Sequence, residues 1–273
     1  MDEAEVIRKN PKVPVTHESL TRDLRNLGLE PGMTAVVHSS LSALGWVCGG
    51  QITVIRSLMD IVRPFGNLVM PTHTGHLCDP ERWDTPPVPQ DWWEEIRQSM
   101  PAFDPDVTPS RGMGRIPELF RTMPDVVRSR HPHFSFAAWG ENSVEIVANH
   151  PLDFGIGDES PLARVYDLNG WVLLLGVDFD RNTSFHLAEN RATYRGKEQL
   201  FRMAPVLLDG HRRWKKYADI NLDSEDFLDL GRDFCHDNER EVRIGQVGHS
   251  RSYLFRQRAA VDYAVTWFGK NRK

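Results

Sequence analysis

Two residues three apart, His186 and Glu189, stand in the stretch Asn182-Thr183-Ser184-Phe185-His186-Leu187-Ala188-Glu189. On a helix that spacing puts both on one face. A histidine oriented by a carboxylate is the usual way to make a base near neutral pH. A capped helix start carrying a hydrogen-bonded histidine has the same pattern, so both readings stand. The stretch follows Trp171 to Val177, a nearly all-apolar run typical of a central strand covered on both faces. Asp178 and Asp180 sit at the end of that run. Strand C-terminal ends are where α/β folds bind ligands, which makes both candidate substrate contacts.

A second candidate is the loop His38-Ser39-Ser40-Leu41-Ser42, followed by Gly45-Trp46 and Gly49-Gly50. It runs from a strand end into a helix N-terminus, where backbone N–H groups and hydroxyls can bind a phosphate or an acyl oxygen. It is neither a Walker loop nor GxGxxG, and a plain tight turn has the same make-up. A third is His73-Thr74-Gly75-His76. His73 and His76 could hold a metal with Asp79, as in a metal-dependent hydrolase. No second histidine-carboxylate set has ligand spacing, so the expectation is no metal, with His73 lining a substrate pocket. His131 and His133 flank Pro132 and suit a turn or a pocket wall. Cys48 and Cys78 lie in no nucleophile motif, and idle thiols are common.

The elements that must position these groups alternate along the chain. Thr16 to Leu27 repeats leucine at helical spacing and ends at Gly28, a C-cap glycine. Thr34 to His38 and Leu68 to Met70 are short strands, with a helix between them that Pro64 and Gly66 stop. Further strands are expected at 134–139, 171–177 and 241–247, and helices at 114–122, 144–149, 162–168, 183–192, 224–236 and 252–268. Asp209-Gly210 between two strand-like runs is a hairpin turn. The fold class is therefore α/β: a central mixed, largely parallel sheet flanked by helices, with a late β-hairpin. Residues 78–109 carry seven prolines and three tryptophans and read as a long irregular insertion, ordered by Trp83, Trp92 and Trp93, with a short helix near 92–100. Residues 1–15 read as a flexible arm and 16–273 as one domain.

Net charge is −5, which argues against nucleic acid as a partner. Segment 78–106 holds eight acidic against two basic residues, and 219–241 nine against two. Residues 111–130 hold five arginines against Glu118 and Asp125. Acidic walls suit a cationic ligand and the basic segment a phosphate-bearing one, although solvated surface has the same composition. Three cysteines without CxxC fit a reducing cytoplasm. No run is long and apolar enough for a membrane helix, and Met1 to Asn10 has no apolar signal core.

Six blocks, VHSSLSALGW with CGG (37–50), LVMPT (68–72), TPSRGMG (108–114), VVRSRHPHFSFAAWG (126–140), ESPLARVYDLNGWVLLLGV (159–177) and NTSFHLAE (182–189), together resemble the aminoglycoside 3-N-acetyltransferase family, whose antibiotic-acetyltransferase fold is distinct from the GNAT superfamily. The resemblance covers roughly residues 20–260. It implies transfer of an acetyl group from acetyl-CoA to an amine of a small polycationic antibiotic, by a monomer or homodimer. It implies that His38, Ser39, Ser40, Leu41, Ser42, Gly49, Gly50, Arg111, Gly112, Met113 and Gly114 face the cofactor. It makes His186 the catalytic histidine and Glu189 its supporting carboxylate. Asp79 and Asp219 would then hold substrate ammonium groups, and the arginine-rich segment the CoA phosphates. The alternative within the family is a different amine, an amino-phosphonate or a peptidyl nucleoside.

Overall fold

The computed structural model describes residues 3–9 and 13–272. In chain order the helices are α1 (Glu3–Lys9), α2 (His17–Leu27), α3 (Gly50–Val62), α4 (Trp93–Ser99), α5 (Arg115–Phe120), α6 (Ser143–Val147), α7 (Pro161–Asp167), α8 (Ser184–Arg191), α9 (Phe227–Asp237) and α10 (Gln257–Asn271). The strands are β1 (Thr34–Ser39), β2 (Asn67–Pro71), β3 (Val127–Arg128), β4 (Phe136–Gly140), β5 (Trp171–Leu175), β6 (Gln199–Leu208), β7 (His211–Ile220), β8 (Val242–Val247) and β9 (Ser250–Arg256). Thr16 caps α2 through its side chain, and Gly28, as the sequence predicts, closes it in the left-handed conformation at φ 101°.

Seven strands form one sheet in the order β3-β4-β2-β1-β5-β9-β8, and β6 and β7 form a separate hairpin. The α/β class and mixed sheet are as expected, but the parallel majority is not. Only β1 pairs in parallel, with β2 and with β5, and the outer pairings are all antiparallel. Local chain geometry accounts for one of these. β8 and β9 are joined through Gly248 and His249 alone, and so short a connection can only make a hairpin. Here the expected helix over 252–268 is also corrected: β9 takes its first residues and α10 starts at Gln257. Tyr253 and Phe255 enter one core layer while Leu254 enters the other, the period-two alternation of a strand.

The same alternation divides β1 and β5. Val36, Val172 and Leu174 pack with α7–α10, whereas Ala35, Val37, Leu173 and Leu175 pack with α2, α3 and α5. The three parallel strands are thus buried on both faces, and their C-terminal ends point the same way. The loops 39–50, 71–78 and 176–183 therefore meet above one edge of the sheet.

Within the segment read as an arm, residues 3–9 form a helix. Its Val6 is buried, and Trp46 Nε1 donates to the Glu3 carboxylate at 2.7 Å. Good helix formers with one apolar contact suffice for that. Residues 1, 2 and 10–12 lie outside the described residues. Of the three tryptophans expected to order the 78–109 insertion, Trp83 packs in a small core while Trp92 is exposed. Leu77, Met100 and Phe103 make a small core with Trp83, Ile96 and Trp214 of β7. Arg128 ties its far end down: buried without a carboxylate, it donates to Thr72, Ser135 and the Pro105 carbonyl. Burial lowers its pKa to about 10. Among the described residues no helix is long and apolar enough to cross a membrane.

Candidate active site

A cavity of about 1210 Å³ opens where those loops meet. It is lined from β1 and the loop after it by His38, Ser39, Ser40, Leu41 and Ser42, then by Gly49 and Gly50. The last two hold positive φ, 82° and 59°, a region L side chains rarely adopt, and turn the chain into α3. Gly112, Met113, Gly114 and Arg115 face the cavity at the start of α5. After β5 come Asp178, Asp180, Asn182, Thr183 and His186.

His186 and Glu189 share one face of α8, and His186 Nδ1 makes a short contact with Glu189 Oε2. The imidazole is 17% exposed and the carboxylate fully buried. With Nδ1 engaged, Nε2 is the nitrogen available to the cavity. The other oxygen of Glu189 accepts from Arg272 and from the Asp223 N–H at 3.1 Å. Arg272 also clasps Asp226 through Nε and Nη2. A buried carboxylate with both oxygens engaged cannot swing away, so His186 keeps one orientation. That is the arrangement of a general base with its orienting acid.

Two further histidines border the cavity. His38 lies within 3.3 Å of Thr183 Oγ1. His73 is wedged edge-on against Phe134 and Phe136, with ring centroids 5.4 and 5.2 Å away. Burial first, and nearby His186 second, lower the pKa of each to about 3, so both are neutral. They are polar wall groups, while His186 alone among the three holds a carboxylate.

Several expected site residues lie elsewhere. Asp79 is closed by a two-pronged Arg97 contact at 2.8 and 2.9 Å. Burial works against its ionisation, but the Arg97 hydrogen bonds prevail and hold its carboxyl below the usual range. Asp219 is buried against Arg202 at 2.5 Å. Neither lines the cavity, whose carboxylates are Glu3, Asp178 and Asp180. The Asp178 carboxylate accepts from the Phe179 N–H, and Asp180 pairs with Arg181. Several charges of the two acidic segments are engaged within the fold. Asp226 holds Arg272, Asp233 accepts from Trp267 Nε1 and Asp237 from Tyr263. The arginine segment is similarly divided. Arg121 pairs with Glu118 and Arg128 is internal, Arg111 is exposed outside the lining, and Arg115 faces the cavity. His76 does not line it, and no group of three or more metal-ligating side chains gathers among the described residues.

Sequence reasoning missed Arg272, whereas Arg115, Thr183 and Trp46 fell within flagged segments without a role of their own. Arg272 is 83 residues from Glu189 and carries no local signal. The motif containing Thr183 did flag its neighbourhood.

Residues 36–269 match the family model of the aminoglycoside 3-N-acetyltransferases. The SPbeta prophage-derived aminoglycoside N(3')-acetyltransferase-like protein YokD of Bacillus subtilis is 47% identical over 94% of each chain. Its crystal structure superposes with a TM-score of 0.94 over 98% of each chain. Aminoglycoside N(3)-acetyltransferase VII of Streptomyces paromomycinus is 38% identical over 98% of this chain and 96% of its own. Solved structures with bound ligands include AAC-IIIb and AAC-VIa. AAC-IIIb with CoASH is 30% identical, with a TM-score of 0.85 over 95% and 98% of the chains. AAC-VIa bound to sisomicin is 32% identical, with a TM-score of 0.83 over 95% and 99%. With the family model spanning most of the sequence and relatives aligned nearly end to end, this chain belongs to the aminoglycoside 3-N-acetyltransferase family and is an acetyltransferase.

Proposed function

We propose that this enzyme moves the acetyl group of acetyl-CoA to the 3-amino group of the 2-deoxystreptamine ring of aminoglycosides, and so confers resistance to them. The observation that carries the reading is the His186–Glu189 pair, buried on its acid side and open to the cavity on its base side. The loop 38–42, Gly49-Gly50 and Gly112–Gly114 with Arg115 would hold the CoA end. Relatives solved with CoASH and with sisomicin supply the ligand classes. The acidic liners Glu3, Asp178 and Asp180 would receive ammonium groups of the antibiotic.

In this scheme the amine nitrogen attacks the thioester carbon and a C–N bond forms. The carbonyl electron pair moves to oxygen, and His186 Nε2 takes the proton from nitrogen. As the carbonyl reforms, the C–S bond breaks and the proton passes to the departing thiolate, giving CoASH and the amide. Transfer is direct, without an acyl-enzyme. Cys78 suits no nucleophilic role, since burial raises its pKa.

The test is thiol release from acetyl-CoA across a panel of amines. Release with 2-deoxystreptamine aminoglycosides bearing a free 3-amine is expected. Release only with an amino-phosphonate or a peptidyl nucleoside would overturn the aminoglycoside assignment.

A further inference from the structure

Eight buried side-chain polar atoms among the described residues have no hydrogen-bond partner. Three of them, Ser39 Oγ, His73 Nε2 and Asn182 Nδ2, belong to residues that line the cavity. They come from the last residue of β1 and from the loops that follow β2 and β5, the three strands of the parallel part of the sheet. Buried polar groups are normally satisfied, so such a cluster marks where a ligand's polar atom sits.

Asn182 differs from the other two. A hydroxyl can rotate, and an imidazole nitrogen can donate or accept according to tautomer. The Asn182 Oδ1 accepts from the Ser184 N–H at 3.2 Å, which fixes the amide's orientation and leaves Nδ2 as a committed donor. The residue is fully buried. Its backbone N–H donates to Phe179 at 2.9 Å and its carbonyl accepts from Phe185 at 3.1 Å. Gln257, also fully buried, braces the same corner by donating to Ser184 Oγ and the Leu162 carbonyl at 3.1 Å. His186 is four residues further on. A rigid, dry donor beside the base is what an acyl-transfer site needs where negative charge develops on oxygen.

We infer that the Asn182 side-chain amide donates to the carbonyl oxygen of the acetyl thioester, and holds it more strongly as that oxygen gains charge during attack. The inference rests on the acetyl-transfer reading of the cavity. His186 accepts the proton from nitrogen while Asn182 stabilises the electron pair displaced onto oxygen, so base and donor act on opposite ends of one bond-forming event. Asn182 gives up no proton and forms no covalent bond.

The test uses the intact enzyme and two readouts. In isotope-labelled wild type, the Asn182 side-chain amide resonance should shift on adding acetyl-CoA and stay put with CoA, which lacks the acetyl group. A resonance unmoved by bound acetyl-CoA, or moved equally by both, overturns the inference. Asn182→Ala should lower kcat about 10²-fold with every amine accepted, at nearly unchanged KM and acetyl-CoA affinity. The infrared red shift of the bound thioester carbonyl should vanish with it. A kcat within about threefold of wild type, or an intact red shift, overturns it. If the alanine variant fails to fold, the wild-type resonance still decides. A wild type that binds no acetyl-CoA would instead sink the acetyl-transfer reading itself.

Discussion

Two sets of histidines in this fold differ in what faces their ring nitrogens. His131, His133 and His150 pack together with Tyr217, ring on ring. His131 accepts two backbone N–H groups on Nδ1 and meets the Leu152 carbonyl at Nε2. His133 is held between Tyr217 and the Leu77 carbonyl, and His150 between Ser129 and the Gly155 carbonyl. Every nitrogen is engaged with neutral groups, and burial lowers the pKa of all three, to about 3 for His131 and His133. His186 has a carboxylate on one nitrogen and a cavity before the other. A histidine's role follows from what faces its second nitrogen.

The comparison breaks most sharply under substitution. His186→Ala should lose about 10²–10⁴ in kcat while CoA binding, read by calorimetry, persists. His150→Ala should do the reverse, lowering Tm and leaving turnover per folded molecule near normal; an inactive but stable variant would place that cluster in the chemistry. Arg272→Met leaves one oxygen of the buried Glu189 without its ionic partner. It should destabilise by about 3–5 kcal/mol, a Tm fall of roughly 10 °C in a thermal melt, with partial recovery in Arg272→Lys. An unchanged Tm would remove Arg272 from the support of the dyad.

Acid should separate the groups as well. The cluster histidines bind protons less readily folded than unfolded, where the ordinary value is near 6.5. Their contribution is complete above about pH 6.5 and is lost as pH falls toward about 3, so Tm should drop progressively below pH 6.5. A flat Tm between pH 7 and about 5 would contradict the burial argument. The smallest effect is expected from Cys48→Ala and Cys78→Ala, with kcat within about twofold of wild type. A folded but inactive variant of either would reopen an acyl-enzyme route.

The site's motifs were legible because they are local. His186 and Glu189 sit one helical turn apart, and the 38–50 loop joins a recognisable strand to a helix. What could not be read depended on distant partners. Counting acids in 78–106 and 219–241 suggested binding walls, yet the charge of Asp79 is spent on Arg97 and that of Asp219 on Arg202. Arg272 reaches Glu189 only because α10 packs along α8. The strand Ser250–Arg256 was hidden because a run buried on both faces has no amphipathic pattern, and it merges with the helix that follows.

The most direct test of the central claim is the structure of the product. With acetyl-CoA and a 2-deoxystreptamine aminoglycoside, NMR should find a single new acetyl group on the 3-nitrogen, formed by wild type and, at equal enzyme, barely formed by His186→Ala. No acetylated product, an acetyl group on another nitrogen, or equal yield from the variant would contradict the account.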